Sequence, residues 1–225
     1  MGGKRVSLMK TRSLLWLGCL GAALYFAGDM LCYGGWGPGH FSPAERMVSV
    51  ALWRLHLESM TEPVGTGLYL LGVVGLWHSC RRAAPRIAMV MLVALSAQSL
   101  FGGLWHGSGG PLGFAIQSCG IDSAAVVEIR KMMGMASQVC AVTGLPGFAI
   151  WIVLALRRTA GVPRWSVVFV PVFTLWLRGL VATVPAPFGL PLAGGWGNIS
   201  FMVFFAVVAL TYQEPADQSD EQIAA

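Results

Sequence analysis

The chain has 225 residues, of which 56% are apolar and 11% charged, and its formal net charge is +5. A soluble domain carries roughly a quarter charged residues to cover its surface, so this composition argues against a soluble globular protein and for lipid as the solvent. The Lys and Arg residues stand in short clusters at the ends of apolar runs. No stripe of bases interleaved with aromatics appears, which argues against nucleic acid as a partner and leaves membrane lipids as the expected one.

Near the N-terminus, Lys4, Arg5, Lys10 and Arg12 precede the first apolar run. No small-x-small site closes that run, and Trp16 stands where a processing site before Cys19 would need a small aliphatic residue. The run therefore reads as an uncleaved anchor. A spanning helix needs about 20 mostly apolar residues. Six stretches qualify, from about Leu14 to Tyr33, Val64 to Cys80, Ile87 to His106, Met133 to Leu156, Trp165 to Val184 and Leu190 to Tyr212. The second is short and Gly-rich, and Pro171 interrupts the fifth.

The expected fold is all-α: a polytopic membrane protein with a six-helix transmembrane bundle over residues 1–212. An acidic, disordered cytoplasmic tail is expected over 213–225, with Glu214, Asp217, Asp220 and Glu221. Between the first two spans, Ser42 as cap and Pro43 at the first position open a helical stretch. Its continuation from Met47 to Met60 sets Val48, Ala51, Leu52 and Leu55 on one face, with Arg46, Arg54 and Glu58 elsewhere. That pattern predicts a short amphipathic interfacial helix. Residues 120–131 predict a second.

Loop charge sets the orientation. With the N-terminus inside, the inner segments hold Lys4, Arg5, Lys10, Arg12, Arg81, Arg82, Arg86, Arg157, Arg158 and Arg164. The outer ones hold Arg46, Arg54, Arg130, Lys131 and Arg178. This two-to-one bias predicts both termini in the cytoplasm, and a bacterial inner membrane is the expected location. The five cysteines, Cys19, Cys32, Cys80, Cys119 and Cys140, form no C-x-x-C pair and read as small apolar residues.

Asp29 is the most informative residue. An ionisable group inside a span is costly, and helical spacing puts Asp29 on one face with Gly18, Ala22, Tyr25 and Cys32, a small-residue face suited to packing. Arg178, about 20 Å into the fifth span from Trp165 at 1.5 Å per residue, is its expected partner at a similar depth. His106 ends the third span on the same outer side, followed by the Ser108-Gly109-Gly110-Pro111 turn, and Asn198 and Ser200 begin the sixth. Asp29, His106, Arg178 and Asn198 thus converge from four helices on one membrane level and form the candidate ligand-binding set. His78, despite its matching Gly-Leu-Trp-His context, falls at the opposite, cytoplasmic end.

Asp29 and His106 are also the candidate catalytic residues. His106 with Ser108 is a thin nucleophile pair, because no G-x-S-x-G surrounds it. Asp29, His106, His40, His56 and Glu62 supply metal-ligand types but no ligand spacing, so no metal and no cofactor is indicated.

Four short segments carry a resemblance to a family of bacterial multi-pass membrane proteins of unknown function: Gly28-Asp29-Met30-Leu31-Cys32-Tyr33-Gly34, Gly67-Leu68-Tyr69-Leu70-Leu71-Gly72, Trp105-His106-Gly107-Ser108 and Gly197-Asn198-Ile199-Ser200. The resemblance spans nearly the whole chain and implies the fold, with no activity attached. Three functions stay open. The protein binds a lipid or small amphipathic ligand in an outer polar pocket, modifies a lipid with Asp29 and His106, or serves as a structural or accessory subunit.

Overall fold

The computed structural model describes residues 2–32, 34, 43–181, 183–185 and 188–213. The acidic tail, His40, Ser42 and most of the first outer loop lie outside the described residues. Every regular element described is helical: α1 (Gly2–Cys32), α2 (Pro43–Met47), α3 (Leu52–Cys80), α4 (Pro85–Gly107), α5 (Gly109–Cys119), α6 (Ala124–Leu156), α7 (Pro171–Thr174), α8 (Arg178–Val181) and α9 (Gly189–Thr211). Two 3-10 turns, Arg164–Phe169 and Leu175–Leu177, flank α7.

Four helical stretches are long and apolar enough to cross a membrane: Lys10–Cys32, Pro85–Cys119, Ala124–Leu156 and Pro191–Thr211. Their outward faces are apolar too, as at Val93, Leu100, Val142 and Leu145, all more than half exposed. A helix apolar all round is suited to lipid on one side and protein on the other.

The long helices run antiparallel in the spatial order α9, α1, α3, α4, α6. Small residues set the α1–α3 contact. A Cβ on Gly18 would meet the Gly72 Cα at 2.7 Å, and one on Gly21 would meet the Tyr69 nitrogen at 2.7 Å, so the two backbones touch. On α6, Gly144 and Gly147 make room for Gln98 and Leu95 of α4. The last helix closes onto the first: Cys19 Sγ donates to the Met202 carbonyl (3.5 Å), and Arg12 donates to the Tyr212 carbonyl (2.8 Å). Tyr69 of α3, Phe148 and Trp151 of α6, and Phe204 and Phe205 of α9 meet in an aromatic core.

Four segments differ from the sequence expectation. Residues 120–131 form no separate interfacial helix, because α6 runs unbroken from Ala124 to Leu156, and Gly109, Gly110 and Pro111, expected in a turn, open α5 instead. The stretch from Met47 to Met60 is no separate interfacial helix; after α2 and a turn, its second half is the beginning of α3, which runs unbroken through Pro63 to Cys80. Pro63 is exposed, so its ring bears on the outside of the helix rather than against a neighbour. The fifth expected span, in turn, is a succession of short helical pieces over 164–181. Pro171 lacks the N–H that a continuous helix would need, and it starts α7 at the first position.

Candidate functional site

The face of α1 named by spacing is buried as expected. Ala22, Tyr25, Asp29 and Cys32 are each at most 6% exposed. Asp29 has two partners, one for each oxygen. Its Oδ1 lies 3.0 Å from His106 Nδ1 of α4, and its Oδ2 accepts a 2.7 Å hydrogen bond from Asn198 Nδ2 of α9. The expected Asp29–Arg178 pair is not the one formed. Among the described residues, Asp29 engages His106 and Asn198, while Arg178 stands at the start of α8, exposed, lining the cavity that Asp29 also faces.

That cavity has a volume of about 520 Å³ and is lined by Asp29, Glu58 and His106 together with Arg130 and Arg178. A smaller space of about 230 Å³, walled by Tyr25, Tyr69, Leu175 and Phe201, shares Trp105, His106 and Ser137 with it. Three of the four candidate residues thus line the larger space. Asn198 lines the smaller one and reaches the larger through its bond to Asp29.

His106 is held on three sides. Tyr25 stacks on its ring with centroids 4.6 Å apart, Trp105 stands perpendicular at 4.7 Å, and Asp29 takes its edge. A carboxylate only accepts hydrogen bonds. An ionised Asp29 therefore accepts the Nδ1 proton of His106 in a hydrogen bond and leaves Nε2 as the ring nitrogen turned away from the carboxylate.

Two further carboxylates belong to this neighbourhood: Glu58, which spacing places on the polar face, and Glu62, named from the sequence only as a metal-ligand type. Glu58 is 2% exposed; its Oε2 accepts from the Gly110 amide at 2.7 Å and from Ser59 at 3.3 Å. Glu62 is 1% exposed, and neither of its oxygens has a hydrogen-bond partner. Gly28 of α1 leaves the room its carboxylate fills. The signal was a heptad-like run of buried positions, Leu55, Glu58, Glu62, Gly65, Tyr69, Gly72 and Leu76, with steps alternating between three and four. Arg54, also assigned to the polar face, donates to the Met30 carbonyl at 2.7 Å and the Gly34 carbonyl at 3.2 Å, where a cation satisfies the end of α1.

Other candidates are placed apart. Ser108 donates to the Leu104 carbonyl at 2.7 Å and is not paired with His106. Ser200 likewise bonds back to Trp196. His56 is exposed against Phe114. His78 ends α3, sixteen residues beyond Glu62, whose Cβ sits close to Gly107; at 1.5 Å per residue that is about 24 Å from the His106 level. Among the described residues, no three His, Cys, Asp or Glu side chains are grouped to hold a metal ion.

No curated protein and no solved structure matches the chain. A family model described as "Family of unknown function (DUF6796)" matches residues 4–214, and the chain belongs to that family.

Proposed function

We propose that this is a six-span membrane protein that binds a small anionic amphiphile in the cavity beside Asp29. The observation that carries the reading is the composition of one space. Arg130 and Arg178 line the same cavity as the Asp29–His106 pair, and an aromatic-walled space adjoins it through Trp105 and His106. Two guanidiniums suit an anionic headgroup, and the aromatic space suits a hydrocarbon chain.

Six crossings are supported by the broken segment. Trp165 lies at the end of the bundle marked by Arg12 and Gln213, and Arg178 lies at the end marked by Asp29. Its 3-10 and α pieces together have a path of about 30 Å, at 2.0 and 1.5 Å per residue, which is the thickness of a hydrocarbon core. The charge bias then favours both termini in the cytoplasm and the Asp29 cavity toward the outer leaflet of a bacterial inner membrane.

The test compares oleate with oleyl alcohol as ligands of the purified protein, using Arg178→Gln and Asp29→Asn variants. Oleate is expected to bind and the alcohol to bind at least tenfold more weakly, with Arg178→Gln losing about tenfold in oleate affinity, roughly 1.4 kcal/mol. Equal binding of the two ligands, or an Arg178→Gln variant identical to wild type, overturns the reading. Failure of oleate to bind in any form, together with a strong stability coupling between Asp29 and Asn198, would favour a structural role.

A second reading rests on His106 itself. A ring whose Nδ1 is held by a carboxylate presents Nε2 as a general base, which would suit lipid modification. Under that reading His106→Gln abolishes turnover of a lipid ester while oleate affinity stays within a few-fold of wild type.

A further inference from the structure

At the end of the bundle opposite Asp29, a separate open cavity of about 830 Å³ lies between α1, the turn after α6 and the end of α9. Arg12, Arg158 and Arg164 line it, and among the described residues its lining includes no acidic side chain. Two of these guanidiniums are anchored by neutral groups. Arg12 donates to the Tyr212 carbonyl at 2.8 Å, and Arg164 Nε donates to the Leu156 carbonyl at 2.8 Å. Carbonyls fix the position of a cation without cancelling its charge. Arg12 Nε is buried with no partner.

The turn that carries Arg158 is itself held in place. Arg158 has φ of 60°, a left-handed conformation that a non-glycine residue adopts uncommonly. Thr159 Oγ1 donates to the Leu154 carbonyl at 2.9 Å, and the Gln213 amide donates to the Gly161 carbonyl at 2.7 Å. Beside the basic lining stand Trp165 and Leu210, exposed by 53% and 67%. Trp is enriched where the hydrocarbon meets the headgroups. A basic recess thus adjoins an apolar outer wall.

We propose that this recess binds the phosphate of an anionic phospholipid, with Arg158 and its neighbours Arg12 and Arg164 meeting the phosphate oxygens and the acyl chains lying along Trp165 and Leu210. Basic pockets between transmembrane helices bind anionic headgroups by this chemistry. Inorganic phosphate shares the charge but has nothing to place on the apolar wall.

The experiment measures thermal unfolding of the full chain in detergent with dioleoyl phosphatidylglycerol, dioleoyl phosphatidylcholine or inorganic phosphate. Wild type, Arg158→Gln and Arg158→Lys are compared, with a full-length variant whose Glu214, Asp217, Asp220 and Glu221 are made neutral amides. The Arg158 amide donates to the Ala155 carbonyl at 2.9 Å, but among the described residues its guanidinium makes no hydrogen bond within the fold, so its replacement removes charge with little effect on packing. The expected result is a rise in Tm with phosphatidylglycerol that phosphatidylcholine and phosphate do not reproduce. Arg158→Gln should need about tenfold more lipid for the same rise, and Arg158→Lys less than that. Equal responses to the two lipids, or an unchanged response in Arg158→Gln, overturns the proposal. A rise reproduced by phosphate alone assigns the site to the free anion and removes the lipid. A response to phosphatidylglycerol seen only in the amide variant makes the acidic segment the occupant, which also overturns it.

Discussion

Tyr25 of α1 and His106 of α4 lie face to face, with ring centroids 4.6 Å apart and planes within 14°. The tyrosine is itself fixed. Thr66 Oγ1 donates its only proton to the Glu62 carbonyl at 2.9 Å, so at 2.6 Å the Tyr25 hydroxyl must donate to Thr66. The stack sets the plane of the imidazole while Asp29 sets its rotation in that plane. Removing the hydroxyl and removing the ring should therefore differ. Tyr25→Phe is expected to cost about 1 kcal/mol, one hydrogen bond, and Tyr25→Ala about 3–5 kcal/mol, as for other buried aromatics. Denaturant titration of the purified protein measures both.

The Asp29–Asn198 bond joins the first long helix to the last. Asp29→Asn and Asn198→Ala each leave a buried polar atom short of a partner, at about 1–3 kcal/mol apiece. A double-mutant cycle should return a coupling energy of about 0.5–3 kcal/mol. Strict additivity would mean that the contact carries no stability.

Glu58 accepts the amide of Gly110 at the beginning of α5. Glutamine retains an acceptor of the same length and alanine retains none. Glu58→Ala is expected to destabilise by about 1–3 kcal/mol more than Glu58→Gln, seen as the larger fall in Tm.

Gly72 has no room for a side chain, because a Cβ there would press on the Gly18 Cα and on the Phe205 ring. Gly72→Leu should separate α1 from α3 and lower Tm by well over ten degrees or abolish folded protein on size exclusion. Gly67, whose Cβ would meet nothing within 4 Å, is the control, and Gly67→Ala should leave Tm within a few degrees.

Cys119 is exposed at the end of α5, whereas Cys32 and Cys80 are buried. With the proposed orientation, a membrane-impermeant maleimide added to intact spheroplasts should label Cys119 and spare the buried pair. Labelling of Cys119 only after lysis would reverse the topology.

Features that follow from the period of each helix and from the alternating direction of successive helices were legible in the sequence. The buried face of α1, the separation of His78 from His106, and the grouping of Asp29, His106 and Asn198 follow from helical period and antiparallel succession. What spacing misjudged was where polarity means water. Glu58 and Arg54 look solvent-facing in a segment rich in charge, yet they turn inward to a backbone amide and a helix end. Those partners lie 20 to 52 residues away, and no local pattern reveals them. Arg178 was placed at the right level but with the wrong partner, because depth in a membrane fixes one coordinate and the side of a bundle fixes another. The run over 164–181 was flagged by Pro171, though a single proline does not tell a kink from a chain of short pieces.

The antiparallel contact of α1 with α9 also bears on the order of synthesis. Asn198 and the Tyr212 carbonyl meet residues made about 170 and 200 positions earlier. Throughout most of translation, then, the first helix waits without its final neighbour, with Asp29 lacking one of its two partners. The glycine-lined embrace of α3 is the earliest shelter available to it, and the bundle is sealed only when the last helix leaves the ribosome.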